Sequence, residues 1–262
     1  MGIAKRGRPY IVCTGIVILI LGTWLLTRPM AQPSSSGAAP SGIERDAHRF
    51  DAHRLKTGQF TYRMSDRGVP AGTGMITIRE AEPLGNYDFS AEFDGFGGQQ
   101  WEAIATSAFD PVFATLSAGK PGAVVPIFRL EYASGKVKGF VMNRKGPEAG
   151  TQRRIDDAVP VNTVDQRIDW AAVLSYPLSS GKRFEFNVYD PSIGISQVMV
   201  SVGKLERIQV PVGTFDAYRV TYTIKKATGT EQYQVLATRD LPRILVREEF
   251  PDGVVSDLIA TK

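Results

Sequence analysis

Apolar and polar residues alternate with a period of two along most of the chain from residue 59 onward. Between residues 87 and 94, for example, Tyr87, Phe89 and Phe93 alternate with Asp88 and Glu92. Because successive side chains of a strand point to opposite faces of a sheet, this pattern predicts strands with one buried face. The segments that fit are 59–64, 75–80, 87–96, 127–132, 136–143, 183–189, 195–202, 218–224, 231–237, 244–250 and 254–259. Short connections between these 10–11 strands favour antiparallel pairing.

Turn-forming residues lie between several of these segments. Ser134-Gly135 predicts one hairpin and Pro251-Asp252-Gly253 predicts the last one. Pro211 and Gly213 predict another tight turn, because proline cannot donate in a sheet ladder and glycine adopts positive φ.

Two segments have helical features. Trp101–Leu116 is interrupted by Asp110-Pro111, which predicts two short helical pieces. Thr163–Tyr176 predicts a better helix, with a capping box formed by Thr163 and Gln166 and a stop at Pro177. Its last two turns are apolar on nearly every side, so this helix must be buried. The simplest location is the concave side of a curled sheet.

The N-terminal segment predicts membrane targeting. Residues 10–26 are uncharged, three cations precede them, and Arg28 follows. The larger positive charge before the apolar run keeps that end in the cytoplasm and sends the rest of the chain across the membrane. Seventeen residues extend about 25 Å as a helix, which is short but sufficient for a transmembrane helix. Both an uncleaved inner-membrane anchor and a cleaved signal peptide are open.

The chain therefore divides into three parts. Residues 1–31 are the anchor or signal segment, residues 32–54 are a flexible linker and polar lead-in, and residues 55–262 are one β domain. We expect this domain in the periplasm, tethered to the inner membrane.

The charge distribution argues against nucleic-acid binding. The sequence pI is about 9.1, but four of the 31 basic residues lie in the first 31 positions, which contain no acidic residue. The remaining chain therefore carries 27 residues of each sign, whereas a phosphate-backbone binder needs a basic face. Cys13, the single cysteine, lies in the apolar run, so the domain has no thiol for a disulfide, a nucleophile or a metal.

Motifs for catalysis or for a cofactor are missing from the sequence. Gly-x-Ser-x-Gly and the phosphate loop are absent. Ser-x-x-Lys occurs at Ser117/Lys120 and Ser179/Lys182, but a glycine next to each lysine indicates a turn. His48 and His53 both lie in the lead-in, and their spacing of five places them on one face of neither a helix nor a strand. We expect no metal, no cofactor and no enzymatic activity.

Carboxylate pairs are the remaining candidates for acid–base chemistry. Asp156/Asp157 and Glu248/Glu249 are adjacent, so in a strand one member of each pair faces solvent. Asp165 and Asp169 are four residues apart in the predicted helix and could share a site, although early aspartates are also favoured by the helix dipole.

A group of aromatic residues is concentrated on or near the predicted helices. It has two interpretations: ordinary core packing, or the wall of an apolar cavity between sheet and helix that holds an acyl chain. The candidate ligand-binding residues are Trp101, Phe109, Phe113, Phe128, Trp170 and Tyr176.

Three stretches together resemble a known family: Ile168-Asp169-Trp170-Ala171-Ala172-Val173-Leu174-Ser175 with Leu178 and Gly181, Glu206-Arg207-Ile208-Gln209-Val210-Pro211-Val212-Gly213-Thr214-Phe215-Asp216-Ala217, and Pro242-Arg243-Ile244-Leu245-Val246-Arg247. Over roughly residues 55–262 the chain resembles the bacterial envelope family catalogued as domain of unknown function 3108, and the stretch at 206–217 is the most specific. The resemblance implies a curled antiparallel sheet similar to the half-open barrels of lipoprotein-sorting carriers. It implies no established activity and no catalytic residues.

Three functions remain as hypotheses. The first is a non-enzymatic envelope protein that binds a lipid or lipid-linked molecule between sheet and helix. The second is an envelope interaction or structural module with a filled core. The third is an unrecognised hydrolase, for which a cleft with two converging carboxylates of raised pKa would be evidence.

Overall fold

The computed structural model describes residues 13–14, 17–18, 49–95, 97–119, 123–143, 148–226 and 229–262. In this part of the chain one sheet of 15 strands dominates, accompanied by a two-stranded pair and one short α-helix. The predicted fold class, a mainly β protein built on a curled antiparallel sheet with a short helical insertion, is confirmed. The number of strands exceeds the predicted 10–11.

Strands are numbered along the chain. The small pair is β1 (Cys13–Thr14) and β2 (Val17–Ile18). The N-terminal half of the large sheet comprises β3 (Gly58–Asp66), β4 (Val69–Ala81), β5 (Asn86–Phe93), β6 (Gln99–Thr106), β7 (Pro111–Ala118), β8 (Val125–Ala133), β9 (Lys136–Met142) and β10 (Gln152–Ala158). The C-terminal half comprises β11 (Thr163–Asp165), β12 (Arg183–Asp190), β13 (Gly194–Val210), β14 (Gly213–Lys226), β15 (Gly229–Thr238), β16 (Leu245–Glu249) and β17 (Val254–Thr261).

The large sheet consists of two meanders that meet in its middle. Its spatial order is β10-β9-β8-β7-β6-β5-β4-β3-β17-β16-β15-β14-β13-β12-β11, so the first and last strands of the domain, β3 and β17, join the halves. All neighbours pair antiparallel except β11 and β12, which are parallel. The predicted turn at Pro211-Val212 connects β13 to β14, and Ser134 and Gly135 both adopt positive φ in the predicted hairpin between β8 and β9.

The two helical pieces predicted over Trp101–Leu116 are wrong, because this stretch forms β6 and β7. Along β6 the buried residues alternate strictly with half-buried ones, and Trp101, Ala103 and Ala105 face inward. Small alanines at inward positions hide the period-two pattern in the sequence. The predicted break at Asp110-Pro111 is the turn between these strands, where Phe109 adopts a positive φ of 67°.

The helix predicted over Thr163–Tyr176 is shorter than expected. Thr163 to Asp165 form β11, residues 166–168 form a 3-10 turn, and α1 spans Asp169–Ser175. The capping box is wrong: Asp165 accepts from the backbone N–H of Arg167, while Thr163 donates its hydroxyl to the Pro160 carbonyl. Burial on all sides is confirmed, since every residue of α1 is buried.

The two ends of the sheet overlap. Rather than pairing with β10, the β11 end lies over inward-facing side chains of β8: Tyr132 donates to Asp165 over 2.6 Å, and the Arg167 guanidinium sits 4.4 Å from the Phe128 ring centroid. No backbone ladder joins β10 to β11 among the described strands. The sheet is thus curled and closed by side chains.

The predicted membrane segment, residues 10–26, lies largely outside the described residues. Its four described residues form the β1–β2 pair. Across the described ranges, no helix has the length and apolarity needed to cross a membrane. The end of the predicted lead-in belongs to the core, because Phe50 and Ala52 are buried and Leu55 bridges to Arg243.

Candidate functional site

The segment 163–176 lies in the interior and is buried throughout. Arg243 holds the end of α1, because its Nη1 donates to the carbonyls of Leu174 and Tyr176, each over 2.8 Å. These carbonyls lack helical partners, so a cation at this end is favourable. Burial, with a smaller effect of Arg54, lowers the pKa of Arg243 to about 10.

Five of the six residues predicted to line a cavity are buried, and Phe113 is half-buried. Tyr176 stacks on Phe184 with 3.8 Å between ring centroids. Phe109 contacts Phe50 and Phe89, with centroid distances of 6.0 and 5.6 Å. These rings therefore pack against other rings of the same core.

The remaining members lie in other neighbourhoods. Phe128 faces the Arg167 guanidinium. On the outer side of the sheet, the Phe113 ring centroid lies 5.1 Å from the guanidinium carbon of Arg129. In α1, Trp170 is 1% exposed and donates its indole N–H to the Arg167 carbonyl over 3.0 Å. The predicted set is thus distributed over several parts of the core.

A buried ion cluster, here the Arg167 cluster, consists of Tyr132, Asp165, Arg167 and Asp190. The Arg167 side chain is 0% exposed and donates to Asp165 through Nε and Nη2 and to Asp190 through Nη1, the last over 3.0 Å. Burial favours the neutral guanidine, but the two carboxylates outweigh it and raise the pKa of Arg167. Arg167 therefore stays charged in the core.

A second buried group, here the Glu248 cluster, consists of Asp169, Tyr222, Glu248 and Ser256. Glu248 lies on an inward position of β16, directly opposite Ser256 on β17, and both are 0% exposed. Tyr222 of β14 donates its hydroxyl to Glu248 over 3.3 Å. Within the described residues, Oε2 of Glu248 and Oγ of Ser256 have no hydrogen-bond partner.

The Glu248 cluster favours a protonated carboxyl group. Burial, and then the charge of Asp169, raise the pKa of Glu248 well above its ordinary range, while the bond from Tyr222 opposes the shift only weakly. A neutral carboxylic acid avoids the cost of an ion in a medium of low polarity. Burial also raises the pKa of Tyr222, so both groups are uncharged together.

The candidate carboxylate pairs separate as follows. Asp165 and Asp169 belong to different clusters, because the helix begins only at Asp169. Glu248 faces the core while Glu249 lies nearer the surface and pairs with Arg219 over 2.8 Å, as the alternation predicts. Asp169 and Glu248 are both 0% exposed, and they interact electrostatically, because the charge of Asp169 helps to raise the pKa of Glu248.

Two shallow surface pockets lie away from these clusters. One is bordered by the start of β3 and the end of β4, and the other by Leu241-Pro242 and the β13–β14 hairpin. None of the six predicted ligand-binding residues lines either pocket.

The histidine lead-in is described only in part, since His48 lies outside the described residues. His53 is exposed, and its Nδ1 lies 2.8 Å from Asp51. In the ranges the structure covers, no three His, Cys, Asp or Glu side chains converge to hold a metal ion.

Residues 60–258 match the family model described as "Protein of unknown function (DUF3108)". The chain belongs to the DUF3108 family. The match covers more than half of the chain and confirms the resemblance drawn from the three sequence stretches. No curated protein matches the chain.

The solved structures similar to this DUF3108 protein have low sequence identity to it. A β-barrel-like DUF1849 protein from Brucella abortus is 13% identical, with a TM-score of 0.51, covering 80% of this chain and 98% of its own. A protein from Bacteroides fragilis assigned as exported, with a YmcC-like fold, is 12% identical with a TM-score of 0.35, covering 82% and 99%. One from Parabacteroides distasonis assigned as a lipoprotein is 14% identical with a TM-score of 0.34, covering 81% and 99%. The first of these likenesses supports a barrel-like fold.

Two of the DUF3108 stretches meet in the structure. The stretch 168–175 contains α1, and Arg243, in the stretch 242–247, binds the carbonyls at the end of this helix. The stretch 206–217 forms the β13–β14 hairpin around Pro211. These positions therefore support the architecture of the domain.

Sequence reasoning missed Arg167 and Arg243 as buried charged residues, and for Glu248 it predicted only that one member of the Glu248/Glu249 pair faces solvent. The signal available for Arg167 was its position among Val164, Ile168 and Trp170, just before an apolar run. Its partner Asp190 is 23 residues away, so only the fold could show that the charge is compensated.

Proposed function

We propose that this DUF3108 protein is a non-enzymatic envelope module, with an interior filled by its own side chains and exposed strands that engage another component. The observation that carries the proposal is the packing of the predicted cavity residues. Trp101, Phe109, Phe128, Trp170 and Tyr176 are each at most 2% exposed. A side chain buried against its own protein stabilises the fold and leaves little room for a ligand.

The surface supports an interaction role. Several large apolar side chains are exposed on turns and edges: Val69, Leu84, Val125, Val161 and Leu241 are each more than half exposed. Single exposed apolar residues are ordinary. A separate feature supports the interaction role: β10 has no partner on one side among the described strands, so it could add a partner strand.

A non-enzymatic role agrees with the position of the titratable groups. Glu248 lies near Asp169 in the interior, and the raised pKa of Glu248 would fit acid–base catalysis. A substrate, however, would have to reach carboxyl groups that are 0% exposed. The hydrolase hypothesis therefore lacks an accessible cleft among the described residues.

Export is part of the proposal and rests on the sequence. Cations before the uncharged residues 10–26 favour transfer of the following chain across the inner membrane. A reporter fused after Lys262 should be active only outside the cytoplasm, and cytoplasmic activity would overturn this orientation.

Lipid binding is the second candidate, and one observation favours it. The overlap of the sheet ends is held by side-chain contacts such as Tyr132–Asp165 and Tyr189–Asp157, each 2.6 Å, and not by a backbone ladder. Separation of these contacts would open the apolar interior without breaking the ladders on either side. A twelve-carbon chain would gain about 9 kcal/mol gross from burial, before the costs of association and opening.

Titration distinguishes the two candidates. Residues 43–262 would be titrated with a fluorescent fatty acid and with phospholipid extracts, while the emission of Trp101 and Trp170 is followed. The filled module predicts no saturable binding and no change in emission. Saturable binding of an acyl species, with lipid recovered in native mass spectrometry, would replace the module by the carrier.

A further inference from the structure

The strand β10 is one end of the large sheet, and among the described residues its outer backbone edge is free. It pairs with β9 on one side, and no described strand pairs with its other side. Six of its seven residues are exposed, and only Ile155 is buried. No described strand from the opposite end of the sheet pairs with this edge. β11 lies over the inner face of β8, and Tyr189 and Pro191 contact only inner-face side chains of β10.

The backbone groups at this edge can be assigned from the ladder. Just beyond β10, Thr151 accepts from Asn143 and Val159 donates to Gly135, so odd-numbered residues bond toward β9. In an antiparallel ladder these groups alternate along the strand. The N–H and C=O groups of Gln152, Arg154 and Asp156 therefore point to the free edge.

The charges of β10 are arranged in two blocks around Ile155. Arg153 and Arg154 precede it, and Asp156 and Asp157 follow it. On the inner face, Arg153 donates to the Pro191 carbonyl and Asp157 accepts from Tyr189 over 2.6 Å. On the outer face, Arg154 and Asp156 form no hydrogen bond or ion pair with any described residue.

We propose that two copies of this protein pair through β10, antiparallel and related by a two-fold axis at Ile155. In this register Arg154 of each copy lies opposite Asp156 of the other, and Gln152 lies opposite Ala158. The free N–H and C=O groups of Arg154 and Asp156 then face each other as a hydrogen-bonded pair, which fits the alternation along the edge. Opposite charges directly across an antiparallel pair are stabilising.

The same charges disfavour other ways of pairing. A slip of two residues places Arg154 opposite Arg154 or Asp156 opposite Asp156, and a parallel in-register pair places every charge opposite its like. Like charges directly opposite each other are destabilising. Charges on exposed edges normally prevent association. The charges of β10 instead allow association in a single register, the one centred on Ile155.

The neighbouring strands continue the pattern. Across the outer face, Glu131 of β8 lies opposite Lys138 of β9, and Lys138 lies opposite Asp156. The charge sign thus alternates from strand to strand, and Arg154 of the second copy would be the next member. This complementarity makes a second copy of the chain the partner that fits the edge, and a two-fold contact of this kind closes without further growth.

This inference rests on the proposed interaction module and names its partner. The test uses the full chain with Cys13→Ser, extracted from membranes in detergent and also cross-linked in cells. In the double variant Gln152→Cys/Ala158→Cys, the two-fold register places the cysteine at position 152 of each copy opposite the cysteine at position 158 of the other copy. Their Cα atoms would be about 5.5 Å apart. Mild oxidation should give a covalent dimer. The variant Gln152→Cys alone is the matched control and should give no covalent dimer, because two copies of residue 152 lie far apart.

A charge swap tests the register independently. Arg154→Asp and Asp156→Arg should each weaken dimerisation at least about tenfold, and the double variant Arg154→Asp/Asp156→Arg should recover affinity close to that of the unchanged chain. Dimerisation is measured by analytical ultracentrifugation, and circular dichroism with thermal unfolding checks that each variant is folded. A monomeric unchanged chain, no rescue by the swap, or equal cross-linking of the control would overturn the proposal. Fatty-acid titration of the same proteins tests the filled core separately. A protein that is monomeric and binds no acyl chain would contradict the dimer but not the filled core.

Discussion

The Arg167 and Glu248 clusters both bury acidic groups in the core, but the charge is compensated by a cation in the first and removed by protonation in the second. In the first, one arginine is held between Asp165 and Asp190, and its pKa is raised although burial opposes this. In the second, burial and the nearby Asp169 raise the pKa of Glu248, which favours its neutral form. The chain passes from one cluster to the other within four residues, from Asp165 to Asp169.

The difference shows two solutions to the same cost. A buried charge is tolerated if an opposite charge and hydrogen bonds replace water, or if the group binds a proton and loses its charge. The first solution makes the fold sensitive to the loss of one partner. The second makes the stability of the fold depend on pH.

Replacing Arg167 by methionine should have the largest effect. It leaves Asp165 and Asp190 buried without their cation, which should cost about 3–5 kcal/mol of unfolding free energy at neutral pH. Urea unfolding of residues 43–262 measures the change. Removing the charges together, by Arg167→Met with Asp165→Asn and Asp190→Asn, should recover part of the loss. If the triple variant is no better than Arg167→Met, the arginine stabilises by packing and not by charge.

Trp170→Ala tests the apolar packing of α1. The ring is 1% exposed, so truncation should cost about 3–5 kcal/mol. Unlike the charge variants, it should give the same loss at pH 5 and pH 7, because no titrating group is removed. A loss below about 1 kcal/mol would mean that the ring borders a void, which would favour the lipid-binding candidate.

Glu248→Gln should stabilise the protein at neutral pH. Above about pH 4.5, the ordinary value for glutamate, the unfolded chain releases a proton that the folded chain keeps. The unfolding free energy contributed by Glu248 is thus present in full below that pH and falls by about 1.4 kcal/mol per pH unit until the raised pKa is reached. Glutamine keeps the neutral shape and removes this slope, so the variant should gain up to about 3 kcal/mol at pH 7.

Unfolding curves at pH 5, 6 and 7 measure this effect. Glu249→Gln on the same strand is the matched control, because Glu249 pairs with Arg219 near the surface, and it should not remove the slope. Equal pH profiles of the unchanged protein and Glu248→Gln would show that Glu248 is ionised in the folded state.

The contrast also marks what the sequence can predict. Eleven strands of the large sheet were predictable, and so were hairpins such as that at Ser134-Gly135, because alternation and turn residues are local signals. β6 and β7 were not predicted as strands, since small inward residues such as Ala103 and Ala114 do not mark the inner face. β10 was not predicted, since Ile155 is its single buried residue, and β11 was not, since its three residues follow only from pairing with β12.

The polar interior was not predictable for a different reason. Alternation indicated that one of Glu248 and Glu249 faces inward, but it could not show whether the buried carboxyl group is charged or protonated. That depends on Asp169 and Tyr222, which come from α1 and β14. Likewise, five of the six candidate aromatic residues are buried, and only tertiary contacts such as Tyr176 on Phe184 show what surrounds them.

The smallest effects should come from removing one hydroxyl from each cluster. Tyr132 donates to Asp165 over 2.6 Å, and Tyr222 donates to Glu248 over 3.3 Å. A hydrogen bond to a charged carboxylate is shorter and stronger than one to a neutral acid, so Tyr132→Phe should cost about 1.5–3 kcal/mol and Tyr222→Phe about 0.5–1.5 kcal/mol. Both substitutions keep the ring, and unfolding at pH 7 compares them directly. A larger loss for Tyr222→Phe would mean that Glu248 carries a charge that its tyrosine must stabilise, and the two clusters would then handle buried charge in the same way.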